Sequence, residues 1–214
     1  MRIKKKKYKN LEVFFSNHQI SYEKAINYLE ERVNKICKEE EQELVWFLEH
    51  PSIYTTGRGH LIKKKFINSI PVINTGRGGK LTWHGPGQRI IYLAINLKKR
   101  KNDIRKFMNL LESFVISTLN KINIECYRKE NLIGIWTKKN DVDAKIASFG
   151  LRVSKGIIYH GISININCKL DNFYKINPCG ITNATVTSAK EIKKEEINLN
   201  EFDKILFGEL SWFC

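Results

Sequence analysis

Two side chains in the second half of the sequence, a lysine and a cysteine, could form an acyl-transfer centre. Lys145 precedes two apolar runs, and Cys179 follows them in a Pro178-Cys179-Gly180 turn. A thiol is a good nucleophile only as the thiolate, which a nearby cation or base stabilises. An amine becomes a base near neutral pH only where burial or another charge lowers its pKa. If the two side chains meet, each supplies what the other needs, and the pair predicts covalent catalysis.

The elements that must position these residues are predicted from hydrophobic periodicity. Residues 142–153 and 156–167 read as two long neighbouring strands that lie between Lys145 and Cys179. Apolar residues on both faces of 43–49 indicate a buried central strand. Further strands are predicted at 11–15, 70–74, 89–97, 124–127 and 132–137, and helices at 22–38, from an Asp103 cap to about 121, and at 170–174, 188–194 and 199–207.

A glycine-rich block precedes the strand at 89–97. Gly76-Arg77-Gly78-Gly79 does not match a nucleotide-binding fingerprint, because Lys80 to Trp83 alternates like a strand where a helix would be needed. His84 lies between two glycine-containing loops, and either a structural or a substrate-facing role fits it. His160 shares a strand face with isoleucines, which favours a packed and hydrogen-bonded histidine. For Arg58 an anion contact and a solvated loop charge fit equally well.

Composition and charge limit the class of protein to which this sequence can belong. Hydrophobic residues make up 42% and charged residues 28% of 214, and the net charge is +15. Such a surface attracts nucleic acid, anionic lipid or an acidic protein, although part of the excess is background because Lys, Ile and Asn are abundant throughout. We find no repeat or linker and predict one domain over 1–214. The Lys4–Lys7 run is expected to be a tail that contributes little to docking.

Cysteine usage and hydropathy indicate the compartment. The five cysteines are odd in number and form no close pairs, which argues against a disulfide framework and a zinc site. A reducing cytoplasm fits best. No apolar stretch reaches signal-peptide or membrane-spanning length. We therefore predict a cytoplasmic protein with no membrane association and no metal.

Three motifs in the sequence resemble those of the lipoyl(octanoyl) transferase family. Residues 77–88, RGGKLTWHGPGQ, match a block usually written R-G-G-x-x-T-(Y/F/W)-H-G-P-G-Q. Lys145-Ile146-Ala147 with Gly150 and Arg152, then His160-Gly161 with Asn165, then Pro178-Cys179-Gly180 match the C-terminal half of the family. A looser match joins His50-Pro51 to Thr56-Gly57-Arg58. The resemblance covers about residues 44–190. This sequence departs from the common family forms at Thr56 and Trp83, which leaves the pocket shape and the preferred acyl length open.

The resemblance implies a fold and an activity. The fold is α/β, a mixed and mostly antiparallel sheet with helices packed mainly on one side, as in the biotin and lipoate ligase catalytic fold. The activity is transfer of an octanoyl group from octanoyl-acyl carrier protein, an acidic protein, to a lysine of a lipoyl domain, the first step of endogenous lipoate synthesis. Acceptors of this family are the lipoyl domains of 2-oxoacid dehydrogenase E2 subunits and the glycine cleavage H protein. No cofactor is implied.

The resemblance also assigns site residues. Cys179 is the nucleophile that carries a thioester, and Lys145 is its counter-ion and proton carrier. The substrate-binding residues are Arg77, Gly78, Gly79, Lys80, Leu81, Thr82, Trp83, His84, Ser148, Phe149, Gly150, Gly161, Ile162 and Ser163.

Two other classes remain open at this point. An ATP-dependent lipoate or biotin ligase of similar fold would activate a free acid and would not need the Pro-Cys-Gly cysteine. A basic nucleic-acid-binding module would interleave aromatic residues with Lys and Arg on one sheet face, whereas the basic clusters here lie mostly at turns and ends.

Overall fold

The computed structural model describes residues 3–59, 61–176 and 185–213. Its strands are β1 (Ile3–Tyr8), β2 (Leu11–Gln19), β3 (Glu43–Glu49), β4 (Ile53–Thr56), β5 (Phe66–Ile67), β6 (Ile70–Asn74), β7 (Thr82–His84), β8 (Gln88–Asn96), β9 (Tyr127–Lys129), β10 (Leu132–Lys139), β11 (Val142–Ser154), β12 (Ile157–Asn165) and β13 (Thr185–Val186). Its helices are α1 (Tyr22–Cys37), α2 (Ile104–Asn120), α3 (Asp171–Tyr174), α4 (Ala189–Lys193) and α5 (Leu199–Gly208), with 3-10 helices at Leu97–Arg100 and Glu209–Phe213.

The described strands form a large and a small sheet. The large sheet has nine strands in the order β1-β2-β3-β8-β12-β11-β10-β9, with β13 added beside β11. Only β2–β3 and β11–β13 pair in parallel within it. The small sheet has four strands in the order β5-β6-β4-β7. The predicted mixed, mostly antiparallel sheet is confirmed.

Both faces of the large sheet are covered, because successive strand side chains point to opposite faces. Val45, Phe47, Leu93 and Ile95 pack with α2 and α5, whereas Leu44, Trp46 and Tyr92 pack with α1. The prediction that helices lie mainly on one side is confirmed, since α2, α4 and α5 share one face and α1 covers the other. Helix α1 is needed on the other face because β3 is apolar on both sides, and each face needs its own cover.

A buried ion pair joins the central strand to the last helix of the sheet's α2/α5 face. Arg89 on β8 donates from Nε to Asp203 Oδ1 of α5 at 2.8 Å, and both side chains are buried. A buried charge is tolerated only when it is paired and hydrogen-bonded. The position of α5 on the sheet is thus tied to β8.

Most predicted elements are confirmed to within a few residues, and two local predictions were wrong. The predicted strand at 124–127 begins only at Tyr127, because the N–H groups of Ile122 and Ile124 both bond to the Leu119 carbonyl and close α2 with a turn. The Lys4–Lys7 run is part of strand β1, where Lys5 Nζ lies 4.8 Å from the centre of the Phe14 ring. Lysine stems that cover aromatic rings can hold such a strand in place. Among the described helices, none is long and apolar enough to cross a membrane.

Candidate active site

A narrow cavity of about 60 Å³ lies where the small sheet meets the large one. The loop before β7 and β7 itself form one wall, and strands β8, β11 and β12 with the start of α1 form the others. The residues that line it are Tyr22, Arg77, Gly79, Lys80, Thr82, His84, Ile90, Tyr92, Ser148, Phe149, Gly150, His160, Gly161, Ile162 and Ser163. The cavity therefore brings together eleven of the fourteen residues predicted to bind substrate.

The other three predicted residues face elsewhere. Leu81 and Trp83 belong to an apolar cluster with Tyr54 and Phe173, and the Trp83 Nε1–H donates to Ser52 Oγ at 2.8 Å. Trp83 points away from the cavity because residues on β7 alternate between its two sides, and Leu81, just before β7, continues the alternation. The N–H of Gly78 donates to the Leu151 carbonyl at 3.1 Å, which attaches the loop to β11.

Arg77 holds the loop that forms the first wall. Its Nη2 donates to the Thr55 carbonyl at 2.6 Å and to the Lys80 carbonyl at 2.8 Å, and its Nη1 donates to the Gly78 carbonyl at 2.7 Å. The guanidinium is planar and offers several donors at fixed angles, so one side chain can fix three carbonyls. Its charge also adds a positive potential to the cavity wall.

Two glycines allow the walls to approach each other. A Cβ on Gly161 would come 1.8 Å from the Ile91 carbonyl oxygen, and a Cβ on Gly150 would come 3.1 Å from Arg77 Cδ. Glycine in a strand often marks such close approach. Any larger residue at 161 would force β8 and β12 apart.

Lys145 is buried on β11, with 5% of its surface exposed. Its Nζ donates to the Ile133 carbonyl at 2.9 Å and lies 4.8 Å from the centre of the Trp136 ring. Strand β10 shifts register beside it, and a Cβ on Gly134 would come 2.9 Å from Lys145 Cε. The glycine and the bulge together make the space that the lysine stem occupies.

Cys179 lies outside the described residues. The chain is described again from Thr185, where β13 pairs in parallel with β11 at Ala144 and Lys145. The next residue after β13 continues this contact, because the Thr187 N–H donates to the Lys145 carbonyl at 3.0 Å. The first described residues after Cys179 are thus attached beside Lys145.

Three buried histidines lie at or near the cavity, and burial lowers the pKa of each. The pKa of His50 falls to about 4, and those of His84 and His160 fall to about 3, with Arg77 adding to the effect at His84 and His160. All three are therefore neutral at neutral pH. Within the described ranges, no group of three or more His, Cys, Asp and Glu could hold a metal ion.

His160 lines the cavity, and the prediction of a hydrogen-bonded histidine was wrong for it. Neither ring nitrogen has a hydrogen-bond partner among the residues the structure describes, and the ring stacks on Tyr159 at 4.7 Å. Its φ of 65° departs from strand geometry, so simple alternation does not give the direction of its side chain.

Sequence reasoning also missed Tyr22, Ile90 and Tyr92 in the cavity wall. Ile90 and Tyr92 are two residues apart on β8 and so share a face, which was a usable signal. Tyr22 opens α1 and looked like an ordinary member of its apolar stripe.

Known proteins resemble this chain in sequence and in fold. The model of the lipoyl protein ligase A/B catalytic domain matches residues 21–211. An octanoyltransferase of Bartonella tribocorum is 46% identical over 184 residues, covering 81% of this chain and 75% of the relative. An octanoyltransferase of the Wolbachia of Brugia malayi is 42% identical over 203 residues, covering 91% of this chain and 99% of the relative.

A solved structure of the bipartite lipoate protein ligase of Thermoplasma acidophilum superposes with a TM-score of 0.68 at 12% identity, covering 92% of this chain and 81% of that one. This confirms the predicted likeness to the lipoate ligase catalytic fold. The sequence relatives are much closer than this structure, and they extend across most of both chains. The protein therefore belongs to the lipoyl protein ligase A/B catalytic domain family and, within it, to the octanoyltransferases.

Proposed function

We propose that this protein moves an octanoyl group from octanoyl-acyl carrier protein to a lysine of a lipoyl domain through a thioester on Cys179. Lys145 serves as counter-ion and proton carrier for that thiol. The acceptors are the lipoyl domains of 2-oxoacid dehydrogenase E2 subunits and the glycine cleavage H protein. The chain acts as one catalytic domain in the cytoplasm.

One arrangement carries the proposal. Strand β11 bears Lys145 and, three positions further on, the cavity-lining run that starts at Ser148. The same strand pairs with β13, which follows the Cys179 segment in sequence. The lysine, the cavity-lining run and the first described strand after Cys179 therefore share one strand as their support, which suits a nucleophile whose partner must be held in place.

In the first half-reaction the Cys179 thiolate attacks the carbonyl carbon of the carrier thioester. A new C–S bond forms, the carrier C–S bond breaks, and the carrier sulfur leaves with a proton that Lys145 supplies. The apolar side chains of Ile90, Phe149 and Ile162 line the cavity and would contact the octanoyl chain.

In the second half-reaction the amine of the lipoyl-domain lysine attacks the enzyme thioester. A C–N bond forms, the bond to Cys179 sulfur breaks, and the thiolate is regenerated. Lys145, which gave up its proton in the first half-reaction, takes the proton that the amine loses. The enzyme returns to its starting state.

Transfer should need neither nucleotide nor magnesium, which separates this function from that of a ligase. A carrier thioester is already activated, whereas a ligase must make an acyl-adenylate from a free acid. The glycine-rich loop is poorly suited to a phosphate, because the Gly78 N–H already bonds to Leu151 and the chain continues into β7 and not into a helix.

We therefore expect octanoyl-carrier protein and a lipoyl domain to react fully in chelator and without ATP, as followed by intact mass of the lipoyl domain. Free octanoate with ATP and magnesium should give no modified domain. If the lipoyl domain is modified only in the second mixture, the protein is a ligase and this proposal is wrong.

The apparent KM for the carrier should rise with salt. Arg58 and Lys80 are exposed beside the cavity, and the Arg58 N–H donates to the Arg77 carbonyl at 3.2 Å, which keeps it on the first wall. An acidic partner would meet these charges, and salt screens them over about 8–10 Å at physiological strength.

Arg58→Glu should raise this KM at low salt and flatten its salt dependence, in steady-state measurements with the carrier varied. Lys106→Glu makes the same type of charge reversal at an exposed position on α2, across the sheet, and should behave like the parent protein. A KM that is flat with salt in the parent would mean that the net charge of +15 is background composition.

A further inference from the structure

We propose that hydrogen bonds running from the Thr187 carbonyl through Asn165 and Gln88 hold the proton of His84 on Nδ1, so that Nε2 accepts an N–H of the attacking lysine amine. Gln88 and Asn165 are then positioning residues for the second half-reaction. This inference rests on the proposed function and assigns part of its acceptor site.

The direction of these hydrogen bonds follows from their anchor. A backbone carbonyl can only accept, so the Asn165 group that meets the Thr187 carbonyl at 3.0 Å must be Nδ2. Asn165 Oδ1 then faces Gln88 and can only accept, so Gln88 Nε2 donates to it at 2.9 Å. Amide orientations have to be assigned from such networks, and a carbonyl at one end makes this assignment unambiguous.

The same logic reaches His84. With its nitrogen directed to Asn165, Gln88 presents Oε1 to His84 Nδ1 at 2.7 Å, and that oxygen can only accept. Nδ1 must therefore carry the proton. A neutral imidazole has one N–H, so Nε2 keeps a lone pair and cannot donate. Burial lowers the pKa of His84 to about 3, which keeps the ring neutral.

The positions of the residues direct Nε2 to the cavity. Gln88 is fully buried and does not line the cavity, whereas His84 does. The ring edge that bears Nδ1 is thus turned into the protein, and we place the opposite edge on the cavity side. Gln88 and Asn165 also face each other in the β8–β12 ladder, which fixes their separation.

The neighbouring histidine cannot supply a proton to Nε2. His50 Nδ1 meets the Ile20 carbonyl at 2.6 Å and must donate to it, so its Nε2 accepts from the Tyr92 hydroxyl at 2.8 Å. The His50 and His84 rings are 6.2 Å apart. Both rings are thus fixed in the same tautomer by backbone or amide acceptors.

An acceptor nitrogen at the cavity wall selects among the reacting groups. The oxygen of the thioester carbonyl needs hydrogen-bond donors. His84 Nε2 carries no proton and cannot donate to it. The attacking amine brings N–H groups, and accepting one of them would hold the amine at the cavity wall with its lone pair free to attack. His84 takes no proton in this step; the proton lost by the amine goes to Lys145, as in the second half-reaction above.

The first test is nitrogen-15 NMR of the histidine-labelled enzyme at neutral pH, with His84 assigned by its absence in His84→Asn. We expect the pattern of a neutral ring protonated on Nδ1. A ring protonated on Nε2 would overturn the inference. This measurement needs no acyl donor, so its outcome is independent of whether the thioester mechanism is correct.

The second test separates the half-reactions in Gln88→Met and Gln88→Glu. Methionine keeps the shape without the amide, whereas glutamate places a carboxylate beside Nδ1 and leaves Asn165 Oδ1 without a donor. In Gln88→Met, transfer from the preformed acyl-enzyme to a lipoyl domain should slow about tenfold, the effect of one lost hydrogen bond. Acylation by the carrier should stay within about twofold, since His84 does not act there.

Gln88→Glu should also slow transfer, because a carboxylate beside Nδ1 favours the charged ring, whose Nε2 carries a proton and cannot accept. Equal slowing of acylation and transfer in Gln88→Met would show that Gln88 only supports the fold. Slowing of acylation alone would mean that His84 contacts the carrier's own arm and not the acceptor amine. Either result would overturn the assignment of His84 to the acceptor.

Discussion

Replacing Cys179 by alanine should abolish octanoyl transfer, with a loss of at least about a thousandfold, the scale seen when a covalent nucleophile is removed. In the parent protein, mixing with octanoyl-carrier protein should add the mass of one octanoyl group, and peptide mapping should place it on Cys179. The adduct should disappear when a lipoyl domain is added, because the second half-reaction consumes it.

The other described cysteines provide the controls. Burial raises the pKa of Cys126 and of Cys168 to about 12, so neither thiol ionises at neutral pH. Cys37 is exposed and belongs to no motif of the site, and Cys37→Ala should keep full activity. Octanoyl label on any cysteine other than Cys179, or transfer that survives in Cys179→Ala, would rule out the assignment.

Lys145→Ala should lose activity by at least about a hundredfold, the lower range for a group that moves a proton in the transition state. Lys145→Arg should fail almost as badly. Arginine keeps the positive charge but does not release its proton at working pH, and its planar head does not match the single contact with the Ile133 carbonyl. Steady-state transfer and the rate of acylation should both fall, because Lys145 serves both half-reactions.

Lys129→Ala is the matched control for these variants. Its Nζ lies 5.1 Å from the centre of the same Trp136 ring that Lys145 contacts, and its partner Asp143 keeps Lys138 at 2.6 Å. We expect near-normal activity from it, and thermal unfolding by circular dichroism should show that all three variants fold. Full turnover in Lys145→Arg would mean that the lysine is only a counter-ion.

The sequence predicted the elements well where periodicity was long. The α1 stripe, the Asp103 cap of α2 and the paired strands β11 and β12 carry unbroken patterns, and the structure reproduces them. It predicted poorly where a helix-end hydrogen bond or a distant side chain decides. The turn after α2 depends on a carbonyl of the helix itself, and strand β1 depends on aromatic rings that lie elsewhere in the sequence.

The cavity could be predicted in outline because glycine-rich blocks mark close approach. Gly150 and Gly161 lie where β11, β12 and the Arg77 loop meet, as the motifs suggested. The direction of individual side chains was harder to predict from the sequence. Trp83 faces away from the cavity, and His160 faces it through a backbone conformation that no alternation rule contains.

The Arg89–Asp203 pair sets an order on how a newly made chain reaches its active state. Its partners are 114 positions apart, so the contact cannot form until the residues of α5 have been synthesised. Until then the guanidinium on β8 lacks its carboxylate, and burying it alone is costly. Strand β8 also bears Gln88 and Tyr92 at the cavity. The ribosome must therefore deliver the chain through α5 before the guanidinium on β8 has its partner, and the wall that β8 contributes is completed only after that.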